Sequence, residues 1–358
     1  MLIQDIEVLE VKQPIGTFYI GSIDGNLLYR MAKADIREIT KGQSYEGIQR
    51  QLDRSRVSAI KSYLQTSFAS FPNTIILNLN SEFLRSQSSG TLTVEVFENT
   101  FSIIDGQHRL SGFEDQNILD FELPVTIFID LDISDQALLF STINSEQRRV
   151  NPSLKLDLEN YSKVETPKKI LSQMAYTFNV DNDSPWKGRI KLAGKKDINS
   201  PDGIIGQKAF VSPILNYVYD DRDSYKIRDK LLRNEPFSLD EYDPNKYFLW
   251  AFFAEDKMKY LYRILFNFFC AFQAVLPSDW ASFSSILSKT TGYNAIMMLF
   301  RDVYRSCNMT KDFSQSQIQA VLSPLEQLKG SLTSDVFGGS GEGSSIKLYK
   351  KMVRMIHI

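Results

Sequence analysis

Five consecutive residues, Asp105-Gly106-Gln107-His108-Arg109, bring together a carboxylate, a glycine, an amide, one of the two histidines in the chain and a guanidinium. The run before them, Thr100 to Ile104, reads as a strand, and the sequence from His108 to Asn117 is helical in character. A strand that passes into a helix through Asp-Gly leaves backbone N–H groups pointing at one spot. With an arginine beside them, those groups suit an anion such as phosphate. Gly106 permits positive φ or a close backbone approach. Asp105 can orient Arg109 or hold a divalent metal on a phosphate. The plainer reading is a capped helix with a structural Asp-Arg pair, and the residue types alone leave both open.

Three further clusters can carry charge to a ligand. Asn144-Ser145-Glu146-Gln147-Arg148-Arg149-Val150-Asn151-Pro152 sets a carboxylate and an amide beside two arginines, which suits phosphate and metal or else a solvated helix end. Gln49 to Arg56 carries Arg50, Arg54 and Arg56, a basic surface or merely an exposed helix face. The stretch Lys187 to Lys196, with Lys187 and Arg189, either contacts a nucleic-acid backbone or is a mobile surface loop. With His108 and His357 as the only histidines, a histidine-rich metal site is not expected, and two distant cysteines, Cys270 and Cys307, imply no disulfide framework.

The elements that must position these residues follow from periodicity. The first thirty-five residues look like a meander, with Gly21 to Gly25 as a turn between Thr17–Ile20 and Leu27–Met31. Ser55 opens a helix with Val57, Ile60 and Leu64 on one face. Thr74 to Leu79, Thr91 to Phe97 and Leu123 to Ile129 read as strands, with a turn at Glu98-Asn99. Ser134 caps a helix carrying Ala137, Leu138, Ser141 and Ile143. This predicts an α+β fold, with a mixed domain over 1–158 and a mainly α-helical domain over 159–358. In the second, no period is clear until Lys246. From there Trp250, Phe253, Met258, Leu261, Leu265, Phe268 and Phe272 form the inward face. Asp279–Leu287, Asn294–Tyr304 and Ile346–Ile356 read as further helices, the last after a flexible loop over Gly338–Ser345.

The totals are those of an ordinary globular protein: 358 residues, 43% hydrophobic and 23% charged, with 41 basic residues against 43 acidic. The balance of -2 means that any nucleic-acid surface is a local patch. No secretory signal or membrane span is evident, because acids stand where a signal would carry lysines and Tyr260–Leu276 is interrupted by Arg263, Asn267 and Gln273. A cytoplasmic, non-membrane protein is expected.

Ile104-Asp105-Gly106-Gln107-His108-Arg109-Leu110 resembles the signature of the DGQHR-motif family, which serves DNA modification systems of the phosphorothioate (DndB-like) and 7-deazaguanine (DpdB-like) types. The resemblance extends through Gln13 and Phe18-Tyr19, Gln49-Arg50, Phe71-Pro72 and Phe140-Ser141-Thr142-Ile143-Asn144. Ile104 and Leu110-Ser111-Gly112-Phe113 lean toward the 7-deazaguanine side. The family is similar to the ParB/sulfiredoxin fold. That implies phosphate on Asp105 and Arg109 and on the backbone at Gly106 and Gln107. It further implies Mg2+ near Asp105, Asn144 and Glu146, and a second phosphate at Arg148 or Arg149. Gln107 stands where sulfiredoxin has its reactive cysteine, so sulfinic-acid reduction is not expected, and no helix-turn-helix follows Pro152.

The resemblance implies an accessory protein that binds, and as an ATPase hydrolyses, ATP or another nucleotide, with His108 or Glu146 as the candidate base. The alternative is a non-enzymatic DNA-binding regulator of a modification operon, using Arg50, Arg54, Arg56, Lys187 and Arg189. A third reading is a scaffold that docks a partner enzyme. DNA and other proteins of the system are the expected partners, with homo-oligomer formation open.

Overall fold

The computed structural model describes residues 2–34, 38–39, 45–46, 52–116, 118–146, 151–192, 196, 200, 203–338 and 341–356, the side chains of 38–39, 45–46, 144–146 and 157 excepted. Two compact units divide the chain, Met1–Arg149 and Val150–Ile358. The division precedes the expected one at 158, so the helix Pro152–Asp157 falls in the second unit and packs on its helices.

The first unit is built on strands β1 (Ile3–Gln13), β2 (Gly16–Asp24), β3 (Ala32–Ala34), β4 (Glu38–Ile39), β5 (Tyr45–Glu46), β6 (Ile75–Leu79), β7 (Leu84–Ser88), β8 (Thr91–Glu95), β9 (Phe101–Asp105) and β10 (Glu122–Ile129). Its helices are α1 (Gly25–Met31), α2 (Arg54–Leu64), α3 (Gln107–Leu110) and α4 (Ile133–Glu146). One mixed sheet runs β3-β9-β6-β10-β2-β1-β8-β7, with β3/β9 and β6/β10 parallel and its other pairs antiparallel. Alternation decides its faces: Ile75, Leu77 and Leu79 of β6 and Leu123, Val125 and Ile127 of β10 are fully buried in one core. The opposite face carries Phe18, Ile104 and Phe128, against which Leu139 and Phe140 of α4 pack.

Several expectations are corrected here. Gly21 to Asp24 is no turn but the end of β2, paired with β1 on one side and β10 on the other. Leu27 to Met31 is helical because the Asp24 side chain accepts from the Leu27 N–H and starts a turn that β-propensity alone would not predict. Asp53, not Ser55, caps α2. Asp132, not Ser134, accepts from the Asp135 N–H at the start of α4, whose Leu138 is exposed while Leu139 and Phe140 face the sheet. The helical character expected from His108 to Asn117 is shorter: α3 passes into a single 3-10 turn at Ser111–Phe113.

The second unit contains α5 (Pro152–Asp157), α6 (Pro167–Val180), a two-stranded ribbon of β11 (Ile190–Lys191) and β12 (Ile205–Gly206), α7 (Gln207–Val218), α8 (Ser224–Leu232), α9 (Trp250–Ala254), α10 (Met258–Val275), α11 (Pro277–Ala281), α12 (Thr290–Thr310), α13 (Gln315–Leu322), α14 (Ser334–Phe337) and α15 (Glu342–Met355). Every residue of the expected inward face from Trp250 to Phe272 is buried. The core centres on Trp186, whose ring lies 5.3 to 5.5 Å from those of Phe210, Phe269, Trp280 and Tyr293. Helices α6, α7 and α8 fill the span where no period was clear. Asp279–Leu287 is not one helix but α11 and a separate 3-10 turn at Ile286–Ser288. Glu342–Ser345, expected in a loop, opens α15. No helix among the described residues is long and apolar enough to cross a membrane.

Candidate functional site

Strand β9 carries Asp105 at its C-terminal end, just past an irregularity. Leu77 pairs with Ile103 but Ile76 pairs with Asp105, so β9 carries one extra residue at the point where the motif begins. Such bulges redirect the side chains that follow them. Gly106 then turns the chain with φ 102° and ψ 9°, a conformation that residues with a Cβ rarely adopt. A Cβ there would stand 2.6 Å from Ile75 Cδ1 and 3.1 Å from Arg109 Nη2, so space as well as conformation demands glycine.

Arg109 is held on two sides. Its Nη2 donates to the Asp105 carboxylate at 2.9 Å, and its Nη1 to the Asn73 carbonyl at 2.6 Å, in the segment that leads into β6. Both side chains of the Asp105–Arg109 pair keep roughly a quarter of their surface in solvent, at 26% and 21%. A partly exposed i,i+4 pair adds little stability; its effect is to fix the guanidinium.

His108 links the motif to α2. Its Nε2 accepts from the Asp53 N–H at 3.2 Å, which leaves Nδ1 to carry the proton. Burial and the neighbouring charge of Arg56 hold the imidazole below the usual histidine range. Asp53 meanwhile accepts from the Ser55 hydroxyl and from the N–H groups of Ser55 and Arg56, and these bonds hold its carboxyl below the usual carboxylate range. Helix α2 lies over the 3-10 turn that continues α3, with Gly112 giving it room: a Cβ there would meet Ile60 Cγ2 at 2.4 Å.

The structure therefore joins two clusters that sequence reading kept apart. Arg56, read as a DNA-contacting residue, stands at the first turn of α2 close enough to His108 to oppose its protonation; Arg54 is exposed on the same turn. Gln107 is buried, not presented to solvent. Arg50, Arg148 and Arg149 lie outside the described residues, as do the side chains of Asn144 and Glu146 on the last turn of α4. Lys187 and Arg189 belong to the second unit, where Lys187 Nζ donates to Asn182 and the Arg189 guanidinium lies 5.8 Å from the centre of the Trp280 ring. Asp53 and the Asn73 carbonyl were missed. Asp53 had a signal, an acid two residues before a serine at a helix start; a backbone carbonyl leaves none.

Among the described residues no group of three or more His, Cys, Asp or Glu is placed to hold a metal ion, and Asp105 is already paired with Arg109. The arrangement offers a fixed guanidinium beside a buried glycine turn and the exposed cations of an adjacent helix turn, a combination that suits a phosphate.

The model of the DndB family, described as DNA-sulfur modification-associated, matches residues 6–184, half of the chain and the whole of the Asp105–Arg109 site. This description favours sulfur modification over the 7-deazaguanine side toward which Ile104 and Leu110–Phe113 lean. No curated protein and no solved structure matches the chain.

Proposed function

Because the chain belongs to the DndB family of proteins associated with DNA-sulfur modification, we propose that it is an accessory component of a DNA phosphorothioate modification system that binds a nucleotide through its phosphates at the Asp105–Arg109 turn. The observation that carries this reading is the double anchoring of Arg109, by Asp105 and by the Asn73 carbonyl, beside a glycine backbone. A guanidinium has five N–H donors, and one fixed in this way meets a phosphate oxygen without losing further rotamer freedom. ATP or another nucleotide with Mg2+, a ParB/sulfiredoxin-like ancestry for the sheet unit and a cytoplasmic setting belong to the same reading. In it Asn144, Glu146, Arg148 and Arg149 complete the site, and His108 or Glu146 is the base if the nucleotide is hydrolysed.

Calorimetric titration with ATP, CTP and their diphosphates, Mg2+ present, tests it. Arg109→Ala should cost about 1.5–3 kcal/mol of binding, roughly ten- to a hundredfold in Kd. Wild-type affinity in that variant would remove the assigned site.

A second reading, a DNA-binding regulator without enzymatic activity, is favoured by the exposure of Arg54 and Arg56 on the turn of α2 that reaches His108. Its mark is duplex binding that needs no nucleotide, falls steeply with salt and weakens in Arg56→Ala. DNA and the other proteins of the system are its partners.

A further inference from the structure

The helices that sequence periodicity left unread gather charge around two adjoining cavities in the second unit. One, of about 280 Å3, is lined by Lys155 of α5, Lys168 of α6 and Lys208 of α7. The other, of about 270 Å3, is lined by Lys168 and by Arg228 of α8. Glu159 and Asp221 border both. Lys168 Nζ sits 2.7 Å from the Asp221 carboxylate, whereas Lys155 and Lys208, both exposed, hold no ion pair among the described residues. Lysines from three separate helices therefore line one small basin, which the carboxylates of Glu159 and Asp221 also border.

Asp221 already matches Lys168, and with Glu159 also on the rim the three lysines leave one positive charge in excess, which an added anion would balance. The helix ends are not themselves open to a ligand. Thr166 Oγ1 accepts from the Lys169 N–H at the start of α6, and Ser153 Oγ accepts from the Lys208 N–H at the start of α7. Lys168 and Lys208 lie in those first turns, so the helix dipoles add positive field while the ammonium groups supply the donors. Lysine is a point charge on a flexible stem, suited to a tetrahedral anion approached from several sides. The basin lies just below the range of roughly 300–1,000 Å3 usual for drug-sized ligands, which favours a small anion over a whole nucleotide.

We propose that Lys155, Lys168 and Lys208 form a second phosphate-binding site, one that takes inorganic phosphate or the phosphate of a small ester. It does not depend on the Asp105–Arg109 reading, and the two fail separately. The test is calorimetric titration of the full chain with inorganic phosphate, and with AMP as an ester. Wild type is compared with Lys155→Glu/Lys208→Glu and with Arg109→Ala. Both lysines are exposed, so the double variant should keep the wild-type circular dichroism.

Saturable phosphate binding, weakened at least about tenfold in the lysine variant and kept in Arg109→Ala, is the expected result. Tighter binding of AMP with the same lysine dependence would identify the ester as the ligand, and weaker binding the free anion. The proposal is overturned if wild type shows no saturable phosphate binding, or if the lysine variant binds as well as wild type. It is equally overturned if phosphate binding is lost in Arg109→Ala alone.

Discussion

The sheet unit and the helical unit are filled in opposite ways. Around the motif in the first unit, close packing depends on missing side chains: Gly106 admits Ile75, and Gly112 admits Ile60 of α2. In the second unit it depends on the largest side chains available, with Trp186, Phe210, Phe269, Trp280 and Tyr293 edge to face or stacked. A core of rings fills volume with few rotamers. A glycine contact brings backbone to within reach of a neighbour, which is what a site built from main-chain groups requires. The difference teaches where each unit is vulnerable: the helical unit to truncation, the motif to any added atom.

Three substitutions break or sharpen that contrast. The largest effect belongs to Trp186→Ala, which empties the fully buried centre of the second core and should cost about 3–5 kcal/mol in denaturant unfolding. Nucleotide affinity at Arg109, measured below the transition, should not change; a parallel loss of affinity would show that the two units do not respond separately. Next is Gly106→Ala. It adds one methyl group at φ 102° and should cost roughly 1–3 kcal/mol. Phosphate binding at Arg109 should fall further than stability, because the new Cβ would lie 3.1 Å from Arg109 Nη2. Unchanged binding would mean that the turn's geometry does not matter to the ligand.

The smallest effect is a pH dependence. The folded imidazole of His108 titrates below its ordinary 6.5, so between the folded and unfolded pKa the unfolded chain holds more protons. Stability from this group is therefore complete above the ordinary value and declines as pH falls through that window toward the folded pKa. Thermal melts from neutral pH downward should show this decline in wild type and a shallower one in His108→Asn. Identical slopes would remove His108 as the source.

Much of the architecture could be read from the chain. Apolar runs marked β6 and β10, alternation at period two marked β8, and the apolar spacing from Trp250 to Phe272 marked the inward face of α9 and α10. The turn from strand into helix at Asp105–Arg109 was legible too, because the residues from His108 onward are helical in character and so set this Asp-Gly apart from a hairpin turn. What was not legible was mostly decided by side chains acting at a distance along the chain. Asp24 makes a helix of Leu27–Met31, which its aromatic and aliphatic residues would place in a strand. Arg109 leans on a carbonyl at Asn73, and no spacing rule connects residues so far apart. The lysine basin was invisible for a related reason: Lys155, Lys168 and Lys208 lie more than ten residues apart in sequence with no motif around them, and only the packing of α5, α6 and α7 collects them.

The bond from the Asp53 N–H to His108 gives the chain an internal proton balance. Arg56 now disfavours a proton on His108. A phosphate arriving between Arg56 and Arg109 would cancel that repulsion and make protonation easier. A protonated imidazole has no lone pair for Nε2 to offer, so the Asp53 amide would be released and the start of α2 loosened. Were a phosphate to bind there, anion uptake, proton uptake and the freedom of one helix end would be coupled through the one imidazole that accepts from the Asp53 amide.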